Sequence, residues 1–157
     1  MLVYVGRLKA GPERELFARY FKRLTETARG LGISGVELRE VDESRARRPE
    51  DRREAETSAI VAAVPAGARL IALDERGNSP TSGEWAADIA RARDAARPFY
   101  AVVIGGPDGL SASLREKACR VIGFGAMTWP HQLVRLMACE QLYRSLSILS
   151  GHPYHRA

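Results

Sequence analysis

The chain has 157 residues, of which 45% are hydrophobic and 27% charged, and its net charge is +5. That is ordinary globular composition, with length for one cored domain and too little for two. No run reaches the ~18 apolar residues of a membrane span, so no membrane partner is expected.

The opening MLVYVGRLKAG enters a strand-like stretch with no basic n-region and no long apolar core, so no signal peptide is expected. Cys119 and Cys139 are too widely spaced for a zinc knuckle or a redox pair. Two reduced structural thiols in a cytoplasmic protein are expected. The charge is uneven. Residues 1–36 carry +4, residues 37–56 carry −2, residues 57–129 carry +1 and residues 130–157 carry +2. The arginine-rich SRARRPEDRRE therefore reads equally as an ion-paired solvated face and as an RNA contact.

Met1–Arg7 alternates and reads as a strand. Pro12 opens a helix with Leu16, Tyr20 and Leu24 at helical spacing, Phe17 and Phe21 beside them, and a stop at Gly30. ISGVELREV reads as a second strand, and Pro49 to Val64 as a helix. Ala68–Asp74 is a short apolar strand, followed by ERGNSPTSG, which reads as turn throughout. EWAADIARARDAA is a helix ended by Arg97 before Pro98. FYAVVIGG is the most apolar strand, SASLREKA a short helix and CRVIGFG a fifth strand. Pro130 starts the last helix, which runs to about Ser150 before Gly151.

Strands alternating with helices predict a mostly parallel sheet with helices on both faces, in a single α/β domain over residues 1–157. Ligands in such sheets lie beyond the carboxyl ends of the strands. The loops leaving those ends are LDERGNSP, GGPDGL and GFGAMTWPH. The GGPDG turn is neither a dinucleotide fingerprint nor a P-loop, and by itself it fits an unliganded tight turn as well. FGAMTW offers small residues, backbone groups and apolar surface, which suits an adenine-like ring and a sulfonium. No Ser-His-Asp set, Cys-His pair or paired carboxylates are spaced for hydrolysis. His131, His152 and His155 lack accompanying carboxylates, so no metal is expected.

The last helix has Leu133, Leu136, Met137, Leu142, Leu146 and Leu149 spread over more than one face. One face covers the sheet, and the second calls for a partner subunit or deep burial. Glu140 and Arg144 are spaced to pair. The closing HPYHRA reads either as a frayed tail or as a polar lid over a site.

LIALDERG, VIGGPDGLS, MTWPHQLVRLMACEQLYRSLSI and the closing HPYHR together resemble the RlmH family of SPOUT-class methyltransferases, over nearly the whole chain. The resemblance implies a C-terminal deep trefoil knot and a homodimer. It implies S-adenosyl-L-methionine as cofactor, with the glycine turn making room for it. Family positions fall on Leu73, Gly105, Phe124, Gly125, Ala126, Met127, Thr128 and Trp129 for the cofactor. The implied substrate is N3 of a pseudouridine in helix 69 of 23S rRNA, within the 70S ribosome. Arg144, Tyr154 and His155 match the family's polar cluster. Arg144 and His155 would position the base or stabilise its anion, and Tyr154 would orient or stack it. A methyltransferase of another rRNA or tRNA nucleoside and a non-catalytic ribosome-binding dimer are the alternatives. Arg14, Arg19, Lys22, Arg23 and Arg29 on the first helix form the candidate phosphate face.

Overall fold

In a computed structural model the described residues are 1–96 and 99–155. They form two compact units, one of residues 1–7, 38–79 and 97–128, the other of residues 8–37, 80–96 and 129–157. The expected helix stop at Arg97 and Pro98 lies outside the described residues.

The first unit holds β1 (Leu2–Val5), β2 (Leu38–Val41), β3 (Arg69–Asn78), β4 (Tyr100–Ile104) and β5 (Arg120–Ile122). They make one sheet in the order β2-β1-β4-β3-β5, every pairing parallel. Its helices are Pro49–Ala63 and Ala112–Lys117. Val3, Val5, Val41, Ala72 and Val103 pack with Ile60, Leu110 and Leu114 in one apolar cluster. Leu2, Tyr4, Ile71 and Val102, at the alternate positions, are buried too. Burial on both faces is what a near-continuous apolar run such as AVVI requires.

One expectation is corrected here. Glu75 to Asn78 is strand, not turn, because β3 resumes after an irregularity and pairs Asn78 with Ile122. Glycine makes this possible. A side chain at Gly77 would overlap the Ile122 backbone, and one at Gly123 would stand 2.9 Å from the Asp74 carbonyl. Two backbones thus pass in direct contact. The trefoil knot is a matter of threading, which strand order and register do not describe.

The second unit holds three helices, Pro12–Gly30, Ser82–Asp94 and His131–Leu149. In chain order the helices are α1 (Pro12–Gly30), α2 (Pro49–Ala63), α3 (Ser82–Asp94), α4 (Ala112–Lys117) and α5 (His131–Leu149). α1 buries Phe17, Leu24 and Ala28, with Tyr20 and Phe21 half-buried. Gly30 is its last helical residue, and the left-handed position that ends it is Gly32, two residues past the expected stop. The Ile33 amide then returns to the Ala28 carbonyl at 3.0 Å, and the Gly32 amide to Arg29 at 3.2 Å. α5 ends the same way at Gly151, where His152 bonds the Ser147 carbonyl at 2.9 Å. No residue of α5 is exposed. Ala138, Cys139, Leu142, Tyr143 and Leu146 are buried, while Leu133, Leu136, Met137 and Leu149 are half-buried. Burial pushes the Cys139 thiol up to about 12, so it is a packing group. Among the described residues no helix is long and apolar enough to cross a membrane.

Candidate active site

Register puts the ends of β4 and β5 level with Leu73 in the middle of β3. Leu73 pairs with Ile104 on one side and with Ile122 on the other. Gly105 and Gly123 therefore leave the sheet together at its carboxyl edge, on either side of Asp74, where β3 turns irregular before it resumes at Asn78. Leu73 and Gly105 are both buried there. Arg115 on α4 ties the turn after β4 to β3, its Nη1 donating to the Leu110 carbonyl at 2.5 Å and to Asp74 Oδ2 at 3.4 Å.

The GGPDG segment closes as a tight turn, the Gly109 amide donating to the Gly106 carbonyl at 2.9 Å. Gly109 sits at a φ of 81°. A side chain at Gly105 would stand 2.7 Å from the Gly109 carbonyl carbon, and one at Gly106 would stand 2.9 Å from Glu56 Oε2. These two glycines are thus required by the turn itself.

Beyond β5, Phe124 is half-buried, Gly125 to Thr128 are exposed, and Trp129 is half-buried. The Gly125 amide donates to Ser79 Oγ at 3.0 Å, and its φ of 90° is left-handed. Met127 is 68% exposed. The segment lies outside any helix or strand and carries no charged side chain. Small side chains leave backbone amides and carbonyls reachable, and Met127 adds apolar surface. That donor set fits a nucleoside-containing ligand held by its base edges and by shape.

In the second unit, Arg144 and Tyr154 converge on Glu140. Arg144 donates to Glu140 Oε1 through Nε at 2.9 Å and Nη2 at 2.5 Å, and its guanidinium lies 4.8 Å from the Tyr154 ring centre. The Tyr154 hydroxyl gives its proton to Glu140 Oε1 at 2.8 Å and lies 3.2 Å from the Tyr20 hydroxyl. Burial raises the Tyr154 phenol well above its ordinary value, and its hydrogen bonds with Tyr20 and Glu140 add to that. The ring packs against Tyr143 at 4.6 Å between centres. Gln141 Nε2 donates to the other Glu140 oxygen at 2.8 Å, and Gln141 Oε1 accepts from Ser82 Oγ at 2.8 Å. His155 follows, its Nδ1 buried with no hydrogen-bond partner among the described residues. The tail through His155 is therefore folded back on α5, and the Gly151 turn is what redirects it.

Arg144 and Tyr154 are brought into contact, and Leu73, Gly105 and Phe124 follow from one sheet edge. Sequence reasoning took Glu140 as an incidental ion pair and Tyr20 as helix core. The i,i+4 spacing to Arg144 was the one available signal for Glu140. Tyr20 is 134 residues from Tyr154, so no local pattern could join them. Asp108, Arg52 and Arg115 were missed for the same reason.

A five-stranded parallel sheet with helices defines an α/β protein. A family model described as a predicted SPOUT methyltransferase matches residues 1–155, and the chain belongs to that family. Among curated proteins it is similar to the ribosomal RNA large subunit methyltransferase H of Methylocella silvestris. The two are 53% identical over 156 residues, 99% of this chain and 98% of that protein. The protein of the same name in Methylobacterium radiotolerans is 54% identical over 157 residues, 99% of this chain and 96% of that one. A crystal structure of a probable methyltransferase from Bordetella pertussis shares the fold, with a TM-score of 0.51 at 17% identity over 92% of this chain and 95% of that one.

Proposed function

We propose that this chain, as one domain over residues 1–157, is a cytoplasmic rRNA methyltransferase using S-adenosyl-L-methionine. Its target is N3 of a pseudouridine in helix 69 of 23S rRNA, in the assembled 70S ribosome. Near-full-length identity with the large-subunit rRNA methyltransferases supports the substrate class. The observation that carries the chemistry is the Arg144 guanidinium, seated on the Tyr154 ring and oriented by Glu140.

When bound, the cofactor would supply a sulfonium-activated methyl group, which N3 would take in exchange for its proton as the sulfur–carbon bond is given up to S-adenosylhomocysteine. Leu73, Gly105 and the Phe124–Trp129 segment would hold it by backbone groups and apolar surface. The imide nitrogen is a poor nucleophile until it loses its proton, so the protein must favour the anion. Arg144 presents a fixed cation to that negative charge. Tyr154 keeps its proton at neutral pH and therefore orients or stacks the base and does not deprotonate it. His155 offers a buried ring nitrogen not engaged elsewhere in the described protein. The half-buried Leu133, Leu136, Met137 and Leu149 of α5 support a homodimer.

The test is transfer of labelled methyl to 70S ribosomes, free subunits, naked 23S rRNA and tRNA from cells lacking the modification, with the nucleoside mapped. Label at N3 of a helix 69 pseudouridine in ribosomes alone is expected. Label in tRNA moves the substrate and keeps the enzyme class. Arg144→Ala and His155→Ala are each expected to lower turnover by about 100-fold or more while the cofactor dissociation constant stays within a factor of two. Unchanged turnover in both overturns their assignment.

A further inference from the structure

The arginine-rich stretch that charge counting left open faces inward at its centre. Arg52 Nε donates to Asp108 Oδ2 at 2.6 Å and Nη2 to Oδ1 at 3.0 Å, a two-pronged pair onto the glycine turn. The remaining Nη1 donates to the carbonyls of Ala46 and Arg47, at 3.1 Å each. One guanidinium thus joins three pieces of chain: α2, the irregular segment after β2, and the turn after β4.

The contact continues along the same face of α2. Glu56 is 4% exposed, and its Oε1 accepts from the Ser44 amide at 2.9 Å. Its Oε2 is buried beside Gly106 with no hydrogen-bond partner among the described residues. Thr57 Oγ1 donates to Ser111 Oγ at 2.8 Å in the interior, and Ser111 caps α4. Arg52 and Glu56 lie one turn apart on α2 and Thr57 adjoins Glu56, so a single helix contacts the turn at Asp108, Gly106 and Ser111.

We propose that Arg52 and Asp108 are positioning residues for the cofactor edge, their fork holding the Gly105–Leu110 turn in its ligand-ready shape. This rests on the function proposed above. The physical reason lies in the turn's composition. Three glycines in five residues give GGPDG wide conformational freedom. A turn that samples many shapes weakens binding by the fraction of time it spends outside the competent one. A planar guanidinium bound at two points removes that freedom, and a lysine, with a single ammonium, does not reproduce the geometry.

The experiment compares the unchanged protein with Arg52→Lys, Asp108→Asn and their combination. Three quantities are read: the S-adenosylmethionine dissociation constant by calorimetry, hydrogen exchange of the Gly109 amide without ligand, and the melting temperature. Each single variant is expected to weaken binding by about ten-fold, the equivalent of one lost charge-assisted bond. Gly109 exchange should accelerate in both, and the combination should be no worse than either alone. Turnover at saturating cofactor should hold, so KM moves and kcat does not. Unaltered affinity, fully additive losses or unaltered Gly109 exchange in folded variants overturns the inference and leaves the function standing. If Asp108→Asn does not fold, the charge-retaining Arg52→Lys decides by the same criteria. An unchanged protein that binds no S-adenosylmethionine overturns the function and this inference with it.

Discussion

Glu56 and Asp108 sit near one arginine and titrate in opposite directions. Burial holds the Glu56 carboxyl above its ordinary value of 4.5, with the charges of Asp108 and Glu43 adding to the shift and the Ser44 amide and Arg52 opposing it. The Arg52 hydrogen bond holds Asp108 below its ordinary 3.8. In the window above 4.5 the folded protein keeps a proton on Glu56 that the unfolded chain has released. Stability therefore falls as pH rises through that window. Asp108 acts the other way, contributing stability that is lost as pH falls below 3.8. Glu56→Gln keeps the Ser44 bond and removes the titration. Its melting temperature, followed from mildly acidic to neutral pH, is expected to decline less than that of the unchanged protein. Parallel curves would show that Glu56 does not titrate differently in the fold. At this scale the sequence was least informative, because Arg52, Asp108, Glu140 and Tyr20 have partners that only folding brings near.

Elements were far more legible, since each is built from local rules. Pro12 and Pro49 each open a helix, and Gly151 closes one in a left-handed position. The α3 start shows how such a rule carries energy. Thr81 Oγ1 accepts from the Glu84 amide at 3.2 Å, and Glu84 Oε2 accepts from the Thr81 amide at 2.7 Å, a reciprocal box. Thr81→Ala is expected to cost about 1 kcal/mol, and so to lower the melting temperature by about 2–4 °C for a chain of this size. Denaturant titration checks it, and an unchanged midpoint would mean that the box adds nothing. The second half of β3 escaped the local rules. ERGNSP has turn composition, yet Gly77 is placed there so that the strand can lie against Ile122. A residue chosen for close backbone approach looks, in sequence, like a residue chosen for a turn.

For the whole molecule the open quantity is how it meets RNA. Arg14, Arg19, Lys22, Arg23 and Arg29 are all exposed on α1, with Lys22 4.0 Å from Glu26 and the Arg23 guanidinium 5.7 Å from the Tyr20 ring centre. A net charge of +5 is small for an RNA-binding chain, so both subunits of the proposed dimer would contribute. If about five phosphates are neutralised, ribosome affinity should fall with a log–log salt slope of roughly −3 to −4.5. A slope near zero would remove α1 from the interface.

Composition, periodicity and motif spacing determined the α/β class, the parallel sheet, almost every helix end and the family resemblance, because each depends on neighbours in sequence or on patterns that repeat along the chain. Tertiary structure alone decided the strand order, with β1 between β2 and β4 and β3 between β4 and β5. It also decided that Gly105 and Gly106 lie too close to Gly109 and Glu56 for a side chain, that Arg52 reaches Asp108 across 56 residues, and that Tyr154 finds Tyr20 across 134. Those contacts rest on a close approach between segments that the chain itself keeps far apart. No local preference encodes such an approach, which exists only once the apolar strands have been buried side by side.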